Sequence, residues 1–280
     1  MSVSRRLALY VLALGAVFAA TLGVGRAAGP IGLANAEADA DHGAMGASAS
    51  AGGAGLPGLA VAEGGFRLVP ATDIAALGTV RYQFRIVDAE GVVSDFEVEH
   101  EKPMHVIVVR RDLTPFDHLH PTMDGEGTWT VDLDLELPGP YRVFADFVVD
   151  GEQHTLGTDL LVAGDFRPHP LPAPATTVDA GDGYAVELHD VVVAGDESAL
   201  RFTVRRHGAV VEDLEPYLGA AGHLVALRAG DLAYLHVHAE QHDLAFEADF
   251  PTPGPYRLFL QFQHGGRVRT AAFTVDAEEA

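Results

Sequence analysis

Three histidines spaced His-x12-His-x-His occur twice in the chain, as His105, His118 and His120 and again as His223, His236 and His238. Imidazole nitrogen suits Zn(II) and Cu(II), and three such nitrogens leave a position for water or an outside ligand. Histidines at i and i+2 share one side of a strand, and a third from a neighbouring strand can join them. The residues between, VIVVRRDLTPFD in the first half and LVALRAGDLAYL in the second, read as apolar strands flanking a charged turn. If paired residue numbers sum to 225, His105 faces His120, Ile107 faces His118, and all three imidazoles converge; a sum of 461 does the same for the second triplet. A slip of one residue turns His105 or His223 away. The expectation is therefore a copper or zinc ion in each half. The competing reading makes these histidines structural, hydrogen-bonded at a sheet rim and duplicated without use.

Oxygen donors near the triplets are Glu101 and Asp117 in the first half and Glu240 in the second. Met104 adjoins His105 and would favour Cu(I), but its counterpart Gly222 cannot, so sulfur is no part of the repeated pattern. His100 and His242 lie close enough in sequence to extend a site. The remaining histidines have no counterpart at matching positions.

The elements that must position these residues are short β-like runs, among them VRYQFRIV (80–87), MHVIVV (104–109), TWTVDLDL (128–135) and YRVFADFVV (141–149). No amphipathic helix interrupts them. The halves repeat: Pro-Gly-Pro-Tyr-Arg at 138–142 recurs at 253–257, an offset of 115, and the histidines recur at an offset of 118. In each copy that motif is a turn feeding a strand, with Tyr141 or Tyr256 at a sandwich corner. The fold expected is all-β, two tandem antiparallel β-sandwich domains of immunoglobulin-like or cupredoxin-like type after an N-terminal hydrophobic helix. The domains span 58–165 and 176–276, joined by the Pro-rich linker 166–175. Arg5 and Arg6 precede an uncharged apolar run at 7–24, the order of an export signal, and Ala34-Asn35-Ala36 offers a cleavage site. Residues 1–36 are thus either a signal peptide or an uncleaved anchor, and 37–57 form a small, polar tether. Either way the remainder lies outside the cytoplasm, secreted or held to the cell membrane by one helix.

The chain has no cysteine, which excludes disulfides, thiolate ligands and a blue-copper centre. It carries 18 basic and 40 acidic residues, a net charge of −22. Nucleic acid and anionic lipid are poor partners for such a surface, and cations are good ones. Nucleophile-elbow, P-loop and dinucleotide motifs are absent, so the expectation is a binding protein rather than an enzyme. Two rivals stand beside metal binding: an adhesion or interaction module, and a zinc hydrolase or hydratase using an open coordination position.

Lys102 to His105, Asp112-Leu113, Phe116 to Pro121 and Gly139 to Arg142 together resemble a group of exported bacterial proteins. These share a Lys-Pro-Met-His strand, an Asp-Leu turn, an aromatic-x-His-x-His-Pro element and a Gly-x-Tyr-Arg strand. The resemblance implies a cupredoxin-like or immunoglobulin-like sandwich associated with heavy-metal handling. It also implies a role as buffer, chaperone or sensor, with another extracytoplasmic metal-handling protein as partner. The second half departs from the pattern: Ala-Ala-Gly replaces Lys-Pro-Met, and Ala239 replaces the final proline.

Overall fold

The computed structural model describes residues 55–195, 197–239 and 243–279. The hydrophobic segment 1–36, tether residues 37–54, Glu240 and His242 lie outside the described residues. Among the described residues there is no helix. The first repeat contains β1 (Ala62–Glu63), β2 (Phe66–Pro70), β3 (Ile74–Ala75), β4 (Gly78–Val87) and β5 (His105–Arg110). It continues with β6 (Phe116–Leu119), β7 (Thr122–Met123), β8 (Trp129–Leu135), β9 (Gly139–Val149) and β10 (Glu152–Val162). The second repeat opens with β11 (Thr177–Gly181), β12 (Tyr184–Leu188), β13 (Glu197–Arg206), β14 (Ala209–Val210) and β15 (His223–Arg228). It closes with β16 (Tyr234–Leu235), β17 (Val237–Ala239), β18 (Ala245–Asp249), β19 (Gly254–His264) and β20 (Arg267–Ala277).

The two repeats are built alike. In the first, one sheet runs β1-β2-β4-β8-β7 and the other β3-β10-β9-β5-β6; in the second, β11-β12-β13-β18-β17 faces β16-β15-β19-β20. Strands β9 and β19 hold the same place in their sheets, as duplication requires. One pairing in the first repeat is not antiparallel: β3 runs parallel to β10, and the second repeat keeps it as a single parallel bridge between Val193 and Glu278 at the end of β20. Alternate residues of each sheet fill the sandwich, with Tyr82, Phe84 and Trp129 in the first core and Tyr184, Phe246 and Phe273 in the second. Tyr141 and Tyr256 each donate their hydroxyl to a carbonyl four residues upstream, Leu137 and Thr252, both at 2.8 Å. This is the tyrosine corner of immunoglobulin-like sandwiches, and it gives the Pro-Gly-Pro-Tyr motif its structural role.

β5 is buried along its whole length because both of its faces are covered. Val106 and Val108 enter the first core, whereas Ile107 and Val109 enter a third cluster with Phe144, Val225, Leu227, Tyr234 and Phe259. β15 alternates in the same way: Leu224 and Ala226 face its own core, Val225 and Leu227 the third cluster. The repeats thus pack sheet to sheet. Phe116 stacks on Phe259 with ring centroids 3.9 Å apart, and the exchanged pair, Tyr234 and Phe144, meets at 5.6 Å. A contact paired with its exchanged counterpart marks an approximate two-fold interface, here within one chain. The end of the tether joins this interface, since the Tyr234 amide donates to the Pro57 carbonyl at 2.9 Å.

Candidate metal centre between the repeats

In β5 and β6 the register pairs Val106 with Leu119 and Ile107 with His118, a sum of 225. In β15 and β16 it pairs Ala226 with Leu235 and Leu227 with Tyr234, a sum of 461. His105 and His118 therefore share a face with Ile107 and Val109, the face turned toward the other repeat. His105, His118 and His120 form one group whose ligand atoms all lie within 4.8 Å of one another. Among the described residues it is the only such group of three.

The second triplet does not assemble. Four residue pairs join β5 to β6, but only two join β15 to β16. Past Leu235 the chain crosses to the other sheet, where Val237 pairs with Ala248 and His238 with Glu247. The physical difference is Pro121 against Ala239. Proline has no N–H to give a ladder, so in the first repeat the crossing waits until Thr122. Ala239 carries an N–H and pairs with Phe246, so β17 forms earlier and takes His238 with it. His238 is exposed. His236 is half-buried and lines a pocket with Glu63, Gln153 and His154. His223, the third member expected there, lies beside the first group instead. Its ring lies 4.7 Å from that of His118, and 5.7 Å from and within 5° of parallel to that of His105.

The sequence-proposed sulfur and oxygen donors point elsewhere. Met104 is fully buried in the first core, on the side of β5 opposite His105. Asp117 pairs with Val108 and likewise faces away from the histidines; burial, then Asp134 and Glu136, raises its pKa. Glu101 is exposed. Gly222 replaces Met104 because a Cβ there would fall 2.6 Å from Leu244 and 2.8 Å from the Gln261 carbonyl.

The hydrogen bonds around the group fix which nitrogens face inward. His105 Nε2 lies 3.2 Å from the Glu99 carbonyl oxygen, which can only accept, so the proton of this neutral ring is on Nε2. His118 Nδ1 lies 2.7 Å from Gln261 Oε1, and with the amide in this orientation His118 donates from Nδ1. The two remaining nitrogens, His105 Nδ1 and His118 Nε2, are 3.0 Å apart and both carry lone pairs. Two lone pairs at that distance repel unless a cation lies between them. His120 Nε2 is buried as well and has no hydrogen-bond partner. Burial, then mutual repulsion among the rings, pushes His118 down to about 3; burial pushes His105 and His120 down to about 4 each. The rings are therefore neutral at pH 7, the form that coordinates a metal.

Two supports were not singled out as such from the sequence. Residues 99–102 form a tight turn in which Glu99 and Lys102 exchange backbone hydrogen bonds of 3.0 Å. Its central residues, His100 and Glu101, have φ of 48° and 65°, the left-handed pair of a type I′ turn. This turn sets the Glu99 carbonyl on His105 and brings the His100 ring within 5.5 Å of His223. Gln261 is the other support. It lies opposite His223 in the β15–β19 ladder, and its counterpart opposite His105 is the buried Asp146.

Residues 62–164 and 176–279 each match the family model of a domain of unknown function, DUF8832. The chain belongs to the DUF8832 family, with two copies of the domain. No curated protein matches the chain. Among solved structures it is similar to Escherichia coli alpha-2-macroglobulin activated by porcine elastase, at 15% identity and a TM-score of 0.28, covering 77% of this chain and 20% of that one. The chain thus spans a fifth of the length of that protein. It is also similar to the fibronectin(III)-like modules of Clostridium thermocellum CbhA, at 12% identity and a TM-score of 0.23, covering 76% of this chain and 95% of that one. Yersinia pseudotuberculosis InvD matches at 15% identity and a TM-score of 0.24, covering 77% of this chain and 58% of that one. These likenesses are too distant to bear on function.

Proposed function

We propose that this two-domain DUF8832 protein binds a single transition-metal ion, Zn(II) or Cu(II), at His105, His118 and His120. It acts outside the cytoplasm as a metal buffer, chaperone or sensor, not as an enzyme. The observation that carries the reading is the pair of inward lone pairs, His105 Nδ1 and His118 Nε2, 3.0 Å apart beside the unpartnered His120 Nε2. Histidines kept for structure would place a donor against an acceptor at this contact. Here the outer nitrogens are engaged by a backbone carbonyl and an amide oxygen, the arrangement that orients metal-binding imidazoles. The chain's net charge of −22 raises the local concentration of cations around it. Placement outside the cytoplasm rests on the Arg5-Arg6 and apolar 7–24 segment.

The test is competitive titration of Zn(II) and Cu(II) into the chain and two variants. His118→Ala removes the most enclosed ligand of the group and should abolish tight binding, whereas His236→Ala should leave it unchanged. Equal affinity in wild type and His118→Ala refutes the site, and the histidines are then structural parts of an interaction module.

A further inference from the structure

We infer that His223, from the second repeat, supplies a fourth imidazole to the ion held by the first, so that the metal ties the two repeats together. This rests on the metal reading above and goes beyond it, because it makes the site a closed clamp rather than an open one. The strand geometry brings His223 there. It lies on the face of β15 that carries Val225 and Leu227, and that face packs on the face of β5 that carries His105, Ile107 and Val109. Its ring is nearly parallel to His105 and 4.7 Å from His118. His223 is not one of the group whose ligand atoms all lie within 4.8 Å of one another, so joining the ion takes a movement of its ring.

The second repeat also holds the first repeat's ligand in place. His223 pairs with Gln261 across the β15–β19 ladder, and Gln261 Oε1 accepts the Nδ1 proton of His118. One repeat thus contributes three ligands, and the other contributes the fourth plus the orienting amide. His100 lies further out, 6.1 Å from His105 and 5.5 Å from His223, and covers the cluster from the turn above it. Four nitrogens fill a tetrahedral zinc sphere and leave no position for a substrate water, which is the arrangement of structural sites. The zinc hydrolase reading needs that open position. An ion so placed can be released only when the facing sheets separate, so occupancy and the arrangement of the repeats are linked.

The experiment uses the full chain, loaded with Zn(II) alone. X-ray absorption of the wild type should show four nitrogen ligands of imidazole type at about 2.0–2.1 Å, a reading that requires no variant to fold. In His223→Ala one imidazole should be replaced by a water oxygen. Zinc affinity should fall by at least about tenfold, the lower range seen when even an outer-shell partner is lost. Zinc should also slow proteolytic cutting at the 166–175 linker in the wild type and not in His223→Ala. Three imidazoles in the wild type, or unchanged affinity in His223→Ala while His118→Ala loses binding, overturns the fourth ligand and leaves the three-histidine site standing. Unchanged affinity in His118→Ala overturns both.

Discussion

In the metal-free chain, lowering the pH from 7 to 4.5 sets the buried imidazoles against the fold. Burial holds His105 and His120 at about 4, His118 at about 3 and His223 well below its ordinary value, whereas in the unfolded chain each titrates near 6.5. Between those limits the unfolded state binds protons that the folded state refuses. Their stabilisation is complete above pH 6.5 and is lost as the pH falls toward the folded values. Asp146 works in the opposite sense. Burial raises it to about 7 from the usual 3.8, so the folded state holds a proton there that the unfolded state releases. Near pH 5 four protons taken up on unfolding, less one released, leave three. At 1.36 kcal/mol per proton per pH unit the stability should fall by about 4 kcal/mol for each unit of acidification. Against a whole-domain stability of about 5–15 kcal/mol, that is enough to unfold the chain within about one to four pH units. Urea unfolding followed by circular dichroism, with chelator present, measures the slope directly. His105→Gln removes one titrating ring and should flatten it by about 1.4 kcal/mol per pH unit. A stability that stays level or rises from pH 6.5 to 4.5, or an equal slope in His105→Gln, refutes the reasoning.

Phe116→Ala removes the ring stacked 3.9 Å from Phe259 between the repeats. It should cost about 2–3 kcal/mol in urea unfolding, less than a fully enclosed phenylalanine, and weaken zinc binding because His118 is two residues away on the same face. Gly157→Ala places a Cβ 2.1 Å from the Gly58 carbonyl oxygen, a backbone atom, and should lower stability by at least about 2 kcal/mol in the same assay. Tyr141→Phe and Tyr256→Phe each remove one corner hydrogen bond, and each should cost about 1 kcal/mol without changing metal affinity.

Much of this arrangement was legible in the residues. The alternation in 80–87, the repeated Pro-Gly-Pro-Tyr-Arg and the matched histidine offsets point to two like sandwiches. The register of both hairpins follows from which residues must share a face, and the strand pairings agree with it. What the residues did not disclose is what covers the second face of β5 and β15. The unbroken apolar runs at 106–109 and 224–227 do signal burial on both sides, but strand periodicity is silent about the identity of the partner. Here the partner is the other repeat, and that sets His223 beside the first triplet rather than with its own. The fate of His236 and His238 turned on one visible difference, Pro121 against Ala239, whose effect on the crossing point needs the neighbouring β18 ladder to be seen. Met104 was misread as a possible ligand because adjacency in a strand puts two side chains on opposite faces, not on the same one. Gln261 and the Glu99 carbonyl belong to no sequence motif and are recognised only by what they touch.

The most direct test of the central claim is metal stoichiometry. The purified full chain, equilibrated with Zn(II) against a competing chelator and then dialysed, is analysed by mass spectrometry for bound metal. One zinc ion per chain, lost in His118→Ala and retained in His236→Ala, is the result the account predicts. Two ions per chain would mean that the second triplet also binds, and none would mean that the lone pairs of His105 and His118 face each other for a reason other than a metal.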